Sequence, residues 1–290
     1  MKTRPIKTWI IFILAVFPAV LMAQSKNFDQ LNVLLSSPGK PFKLNMNLAG
    51  GSVNISTHEG KDLRITALPA PATNDNTGMG KNQNVNINTN TNVNVNVNSG
   101  PVGINVNKGK LLRITENSNE VFISQLKQKQ MLNIEVSLPR NNTSLNLSLS
   151  EKGNVNVDGI TGEIVVNSAN GPVTLKNISG SAMATTVNGN ITATFKYVNG
   201  KAPMAFSTLI GNIDLSFPTS AKANFTIKSD QGIVSSDFNL AGDSKTKLIR
   251  NKNGWYQAKI AGSLIAKVNG GGQEITITNM QGDIYLHKRQ

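Results

Sequence analysis

Glycine recurs at a fixed step through the second half of the chain. Gly153, Gly162, Gly171, Gly180 and Gly189 stand nine residues apart, four times in succession. Gly200, Gly211, Gly232, Gly271 and Gly282 continue the series with looser gaps. Most of these glycines introduce a short alternating segment, as in Gly153-Asn154-Val155-Asn156-Val157. Alternation of this kind puts one apolar face toward a core and one polar face toward water. Glycine suits a chain that turns a corner with positive φ. The asparagine beside it in Asn170-Gly171, Asn188-Gly189, Asn199-Gly200 and Asn269-Gly270 is the other residue that tolerates that conformation. One strand and one turn per short fixed period is the signature of a stacked architecture.

The same alternation runs through Pro172–Leu175, Asn190–Phe195, Asn212–Phe217, Glu274–Ile277 and Asp283–Leu286. Helices find no support. The best helical window, Asn119–Gln130, contains Val121-Phe122-Ile123 and reads as strand. The fold class is therefore all-β, and two topologies fit. One is a β-solenoid resembling a parallel β-helix, with coils stacked at about 4.8 Å. The other is an antiparallel β-sandwich, whose strands recur at about eight to twelve residues. Short strands and regular glycines favour the solenoid, because hairpins prefer two-residue Asn-Gly turns between longer strands.

The N-terminus reads as a signal peptide over residues 1–23. Lys2, Arg4 and Lys7 precede an apolar run from Trp9 to Val20, and Ala23 offers a cleavage point before Gln24. The run is shorter than the roughly 20 residues of a membrane-spanning helix. No later segment is apolar enough to span, so no transmembrane span is expected. Removal of three cations takes the formal charge from +13 to +10. The chain has no cysteine, which excludes disulfides, thiolate metal sites, a thiol nucleophile and lipoprotein anchoring. Residues 24–73 are expected to form the first strands of the repeat domain and residues 111–290 its body. Between them, 74–110 is a low-complexity insert: asparagine occupies every even position from Asn82 to Asn98. Its bland reading is a loop or flap. Its sharper reading is a sticky strand that mediates self-association, since asparagine ladders suit pairing between chains.

A resemblance accompanies these patterns. Ile134–Arg140, Gly153–Gly162, Val187–Ile191, Gly211–Pro218, Asn269–Ile275 and Gln281–Ile284 occur in an order similar to that of the bacterial "putative adhesin" family of β-strand-repeat proteins, the domain of unknown function 4097 type. The resemblance spans about Pro41 to Lys288. It implies a secreted or periplasmic β-helix-like domain and brings no catalytic residues with it.

Chemistry is sparse in the residues themselves. A glycosidase needs two carboxylates a few ångströms apart. Here Asp158, Glu163, Asp214, Asp230, Asp237, Asp243, Glu274 and Asp283 are scattered, mostly at turns. His58 and His287, the two histidines, read as surface residues, His287 in a basic tail. Asn269-Gly270-Gly271-Gly272 is followed by a strand, so it reads as a turn and not a phosphate loop. No catalysis, cofactor or metal is expected, and no specific nucleic-acid binding.

The leading reading is a non-enzymatic secreted or cell-envelope protein. It would act as an adhesin through a repetitive polar sheet face. The outward positions are Asn154, Asn156, Thr174, Lys176, Thr192, Thr194, Asp214 and Ser216. The alternative is a periplasmic structural or sensory module. It would bind envelope polyanions through Lys245, Lys247, Arg250, Lys252 and Lys259. A β-helix carbohydrate-active enzyme ranks third. Partners in view are a cell-surface glycan, an envelope polyanion or a partner protein. The address is the periplasm, the outer surface or the extracellular space.

Overall fold

The structure is a computed structural model. It describes residues 28–71, 105–108, 110–141, 143–198, 202–240, 249–252, 254–260 and 262–289. Residues 1–23, read as a signal peptide, and most of the asparagine-rich insert lie outside them. Every described element is a strand. The first eight are β1 (Asp29–Leu34), β2 (Phe42–Leu48), β3 (Gly51–His58), β4 (Asp62–Pro69), β5 (Asn105–Lys108), β6 (Leu112–Asn117), β7 (Glu120–Gln125) and β8 (Leu132–Pro139). Then come β9 (Thr143–Asp158), β10 (Thr161–Asn170), β11 (Val173–Asn188), β12 (Ile191–Val198), β13 (Met204–Ile210), β14 (Ile213–Pro218) and β15 (Ala223–Gln231). The last six are β16 (Ile233–Ser236), β17 (Ile249–Arg250), β18 (Tyr256–Lys259), β19 (Ser263–Val268), β20 (Gln273–Gln281) and β21 (Ile284–Arg289).

The strands form a β-solenoid of two-sided coils. Each coil lays one strand on a first face and the next on a second. The first face runs β5–β6–β7–β2–β9–β10–β11–β13–β20–β15–β19. The second runs β1–β4–β8–β3–β9–β11–β12–β14–β21–β16–β18–β17. β9 and β11 serve both faces, because each bends round a corner at a glycine, Gly153 and Gly180. The nine-residue step is thus half a coil, and Gly153, Gly171 and Gly189 mark full turns of 18 residues.

Coils do not stack in chain order. The last coil, β20–β21, slots between β13–β14 and β15–β16, with parallel pairing on both sides. The first coil, β2–β3, is likewise flanked by β7–β8 and by β9. Antiparallel strands close both ends of the stack: β1, β4, β5 and β6 at one, β17, β18 and β19 at the other. Terminal units of a stacked fold are atypical and cap it, and here antiparallel strands form the last layer at each end. As read from the sequence, the window Asn119–Gln130 contains a strand, β7, with Val121 and Ile123 buried.

Inward side chains line up coil over coil. One such row on the first face is Ile114, Ile123, Met46, Leu147, Val166, Ala184, Phe206, Ile277, Ile227 and Leu264, all buried. On the second face Val53, Val155, Val173, Ile191, Ile213, Ile284 and Val234 form another. Phe195 stacks on Phe217 at 5.1 Å and meets Phe206 edge-on at 6.2 Å. Two buried acids belong to the frame as well. Asp29 accepts the N–H groups of Lys110, Leu111 and Leu112 at 2.6–2.8 Å. Glu116 accepts from Ser36 N, Ser36 Oγ and Asn119 N at 2.8–2.9 Å.

The corner between the faces is a column of glycines: Gly51, Gly153, Gly171, Gly189, Gly211, Gly282 and Gly232. A Cβ on Gly171, whose φ is +123°, would lie 1.9 Å from the carbonyl oxygen of Gly153. No rotamer relieves a clash between two backbones. Gly171→Ala is therefore expected to destabilise by at least about 3 kcal/mol. Gly270→Ala tests the φ effect alone, because φ is +86° there and a Cβ would meet nothing within 4 Å. It should cost only about 1–2 kcal/mol. Denaturant unfolding of both variants checks this, and equal losses would contradict the column. A chain ending at Gly272 would lack the coil between β13–β14 and β15–β16. Its expected circular-dichroism melt has no cooperative transition, and a melt like that of the full chain would make the last coil peripheral.

Candidate functional site

The outer side of the second face carries all eight outward positions read from the alternation. Asn156, Thr174, Thr192 and Asp214 are successive members of one register row. The row continues to Asn54 on one side and to Tyr285 and Ser235 on the other. In the next row Thr194 pairs with Ser216, and Ser216 with His287. Lys176 stands opposite Asp158. Asn154 lies opposite Ser52, nearer the glycine corner. Asn154, Asn156 and Lys176 are exposed, and the other five are half-buried.

Neighbouring coils are tied across this face by side-chain amides. Asn156 Nδ2 donates to Asn54 Oδ1 at 2.9 Å. Asn177, at φ +54°, bulges out of β11. Its Nδ2 donates to Asp158 Oδ1 at 2.8 Å, and its Oδ1 accepts from Arg289 Nη2 at 3.2 Å. Beside the glycine column, Asn190 Oδ1 accepts the N–H of Asn212 at 2.8 Å. Asn212 Oδ1 accepts that of Asp283 at 2.9 Å, and Asp283 Oδ1 that of Ile233 at 2.8 Å. Asn190, Asn212 and Asp283, each next to a corner glycine, thus hold the start of the neighbouring coil. These bonds keep the face rigid, which a repeating contact surface requires.

The second group of candidates is divided. Lys245 and Lys247 lie outside the described residues. Arg250 sits on β17 with its guanidinium 5.7 Å over the Tyr256 ring, and its Nε donates to Gly254 O at 3.3 Å. Lys252 is exposed in the turn that follows, and Lys259 is exposed on β18. They occupy the end of the stack.

At that end the outer face changes character. Tyr285 and His287 stand on β21 with parallel rings, 6.2 Å apart and 9° from coplanar. Trp255 lies nearly perpendicular to both, 6.4 Å from Tyr285 and 5.1 Å from His287. His287 is flanked by acids: Nε2 is 3.4 Å from Asp214 Oδ1, and Nδ1 is 3.5 Å from Asp237 Oδ2. Tyr285 Oη donates to Asp283 Oδ2 at 3.0 Å. His287 is therefore part of a central strand and not of a tail. His58 also departs from the surface reading. It is half-buried at the end of β3, 3.5 Å from Asp62, which Arg64 binds at 2.8 Å. The side-chain bond from Arg64 holds the Asp62 carboxyl below the ordinary carboxylate range.

The aromatic group was not read from sequence. Asp283–His287 alternates visibly, but Trp255 reaches it only through the coil order. Tyr285 ionises above the ordinary phenol value of 10.0, chiefly because burial disfavours its charge, then through the bond to Asp283 and the charges of Asp283 and Asp214. A raised folded value means that stability is full below about pH 10 and is lost as pH rises through the folded value. Asp283→Asn keeps an oxygen for the Ile233 N–H and removes the charge. It should bring the Tyr285 transition back toward 10, as read by alkaline absorbance against Tyr285→Phe. An unmoved transition would remove Asp283 as a cause.

Similar proteins were found at low identity. A putative cell adhesion protein from Clostridium sporogenes matches over 91% of this chain and 99% of its own, with 14% identity and a TM-score of 0.42. A putative adhesin from Bacteroides fragilis matches over 91% and 98%, with 10% identity and a TM-score of 0.34. No curated protein matches the chain. Residues 143–287, half of the chain, match the family described as Toastrack DUF4097, and the chain belongs to that family.

Proposed function

We propose that this chain is an exported, non-enzymatic binding module of the bacterial cell envelope, acting as an adhesin through the outer side of its second face. One observation carries the reading: Asn54, Asn156, Thr174, Thr192 and Asp214 stand in a single register row across adjacent coils. Their spacing is that of neighbouring strands, about 4.8 Å. Amides and hydroxyls so placed offer donors and acceptors at a constant interval. A partner with its own repeat can match several at once, and many weak contacts on a rigid support add to useful avidity. The buried acids Asp29 and Glu116 are taken up by backbone N–H groups, which favours a structural role for them over catalysis. The basic N-terminus with its apolar run supports export. Among the described residues no helix is long and apolar enough to cross a membrane.

The test combines location with binding. Protease added to intact cells is expected to remove the protein while a periplasmic control survives. Protection until the envelope is opened would contradict adhesion to outside partners. Purified residues 24–290 are expected to bind isolated envelopes, and Thr174→Arg with Thr192→Arg should weaken that binding at least about tenfold. The unfolding midpoint should stay unchanged. Loss of binding in Arg250→Glu with Lys259→Glu, together with a steep dependence on salt, would favour the polyanion reading instead.

A further inference from the structure

We infer that Trp255, Tyr285, His287 and Asp214 form a sugar-binding end to this face, so that its ligand is a neutral glycan chain. The inference rests on the reading of the second face as the contact surface and names its ligand class. Three rings converge within 5.1–6.4 Å of one another, beside a row that runs through Thr192, Thr174, Asn156 and Asn54. All three residues are half-buried, and 27% of the His287 side chain is exposed. Aromatic faces carry negative charge and attract the slightly positive C–H groups of a sugar ring.

The neighbouring carboxylates are not equivalent. Asp283 is engaged at both oxygens, by Ile233 N and Tyr285 Oη. Asp237 Oδ2 accepts the N–H of Lys288 at 3.1 Å. Asp214 is the most open of the group flanking His287, with 42% of its side chain exposed against 28% for Asp237. Its contact with His287 engages Oδ1 alone at 3.4 Å, so Oδ2 can accept a hydroxyl. A hydroxyl bonded to a carboxylate is among the stronger hydrogen bonds. Apolar stacking surface beside a directed polar group is the usual composition of a ligand site.

Charge and continuity favour a glycan over a cationic ligand. Rings and carboxylates also suit organic cations. However, the row leading away from Asp214 is uncharged for four strands: Thr192, Thr174, Asn156 and Asn54. Each of these can both donate and accept, which matches hydroxyls. A polycation lying along the face would also meet a chain whose residues 24–290 carry a formal charge of +10. A neutral glycan meets neither obstacle.

The chain provides its own reporter. Its tryptophans are Trp9 and Trp255, and residues 24–290 contain only Trp255. Emission of that fragment is to be followed while tetrasaccharides of glucose, mannose, galactose and N-acetylglucosamine are added, with tetralysine as the cationic probe. At least one sugar is expected to shift Trp255 saturably, with a dissociation constant of about 0.1–1 mM. Asp214→Asn should weaken it at least about tenfold with an unchanged melting curve. Tyr285→Phe, which keeps the ring, should bind as before, and Tyr285→Ala should not. A shift with tetralysine alone would overturn the glycan assignment and make this a cation site. Saturable sugar binding by calorimetry, indifferent to Asp214→Asn and silent at Trp255, would overturn the aromatic end. No binding of any sugar would overturn the inference outright. Sensitivity of envelope binding to Thr174→Arg with Thr192→Arg would then still uphold the face itself.

Discussion

Everything in this molecule depends on how closely one backbone corner sits on the next. The carbonyl of each column glycine lies where a side chain of the next would be, within 2.2 Å of the Cβ position from Gly153 through Gly232. Only hydrogen fits there. The turn is consequently sharp, and the two faces stay close enough to share one core. Three of the carbonyls in this contact are satisfied from within. Thr186 Oγ1 donates to Gly171 O at 3.1 Å, Thr208 Oγ1 to Gly189 O at 2.9 Å and Asn279 Nδ2 to Gly211 O at 3.0 Å. Each donor stands three residues before a column glycine and one coil away from its acceptor. A buried polar group left unpaired costs about 1–3 kcal/mol, so these bonds are part of the corner rather than decoration.

Much of this was legible because the governing periods are local. Alternation with period two identifies outward residues strand by strand, and the structure places Asn154, Asn156, Thr174, Lys176, Thr192, Thr194, Asp214 and Ser216 on one outer face. The nine-residue step is local too, although it marks half-coils and distributes Gly162 and Gly180 to the opposite corner. The polar residue three before the glycine, Ser168, Thr186, Thr208, Ser229 or Asn279, was also readable, as a polar residue at an inward position. Coil order was not. The partners of β20 are β13 and β15, and Ser207 and Thr278 are paired though far apart in the chain. A parallel ladder leaves no turn residue between its partners to announce the pairing.

The candidate site divides along the same line. Its repetitive part follows from alternation within each strand. Its aromatic part depends on insertion of the last coil, which brings Tyr285 and His287 beside Asp214 and Ser216. Trp255 then arrives from the antiparallel cap, one residue before β18. The strands that close the stack thus also complete the face. This explains why the chain has scattered acids in sequence and a local acidic group in space, despite its formal charge of +13.

Coil order is the central claim, and the absence of cysteine allows a clean test of it. Neighbouring strands lie about 4.8 Å apart, within reach of a disulfide, and alternate strands lie about twice as far, beyond its limit of about 7 Å. Ser207→Cys with Thr278→Cys, paired on β13 and β20, should cross-link within one chain on mild oxidation. Ser207→Cys with Lys228→Cys should not, because β20 lies between β13 and β15. Efficient cross-linking of the second pair and failure of the first would mean that the coils stack in chain order. The account of the face built on the inserted coil would then be wrong.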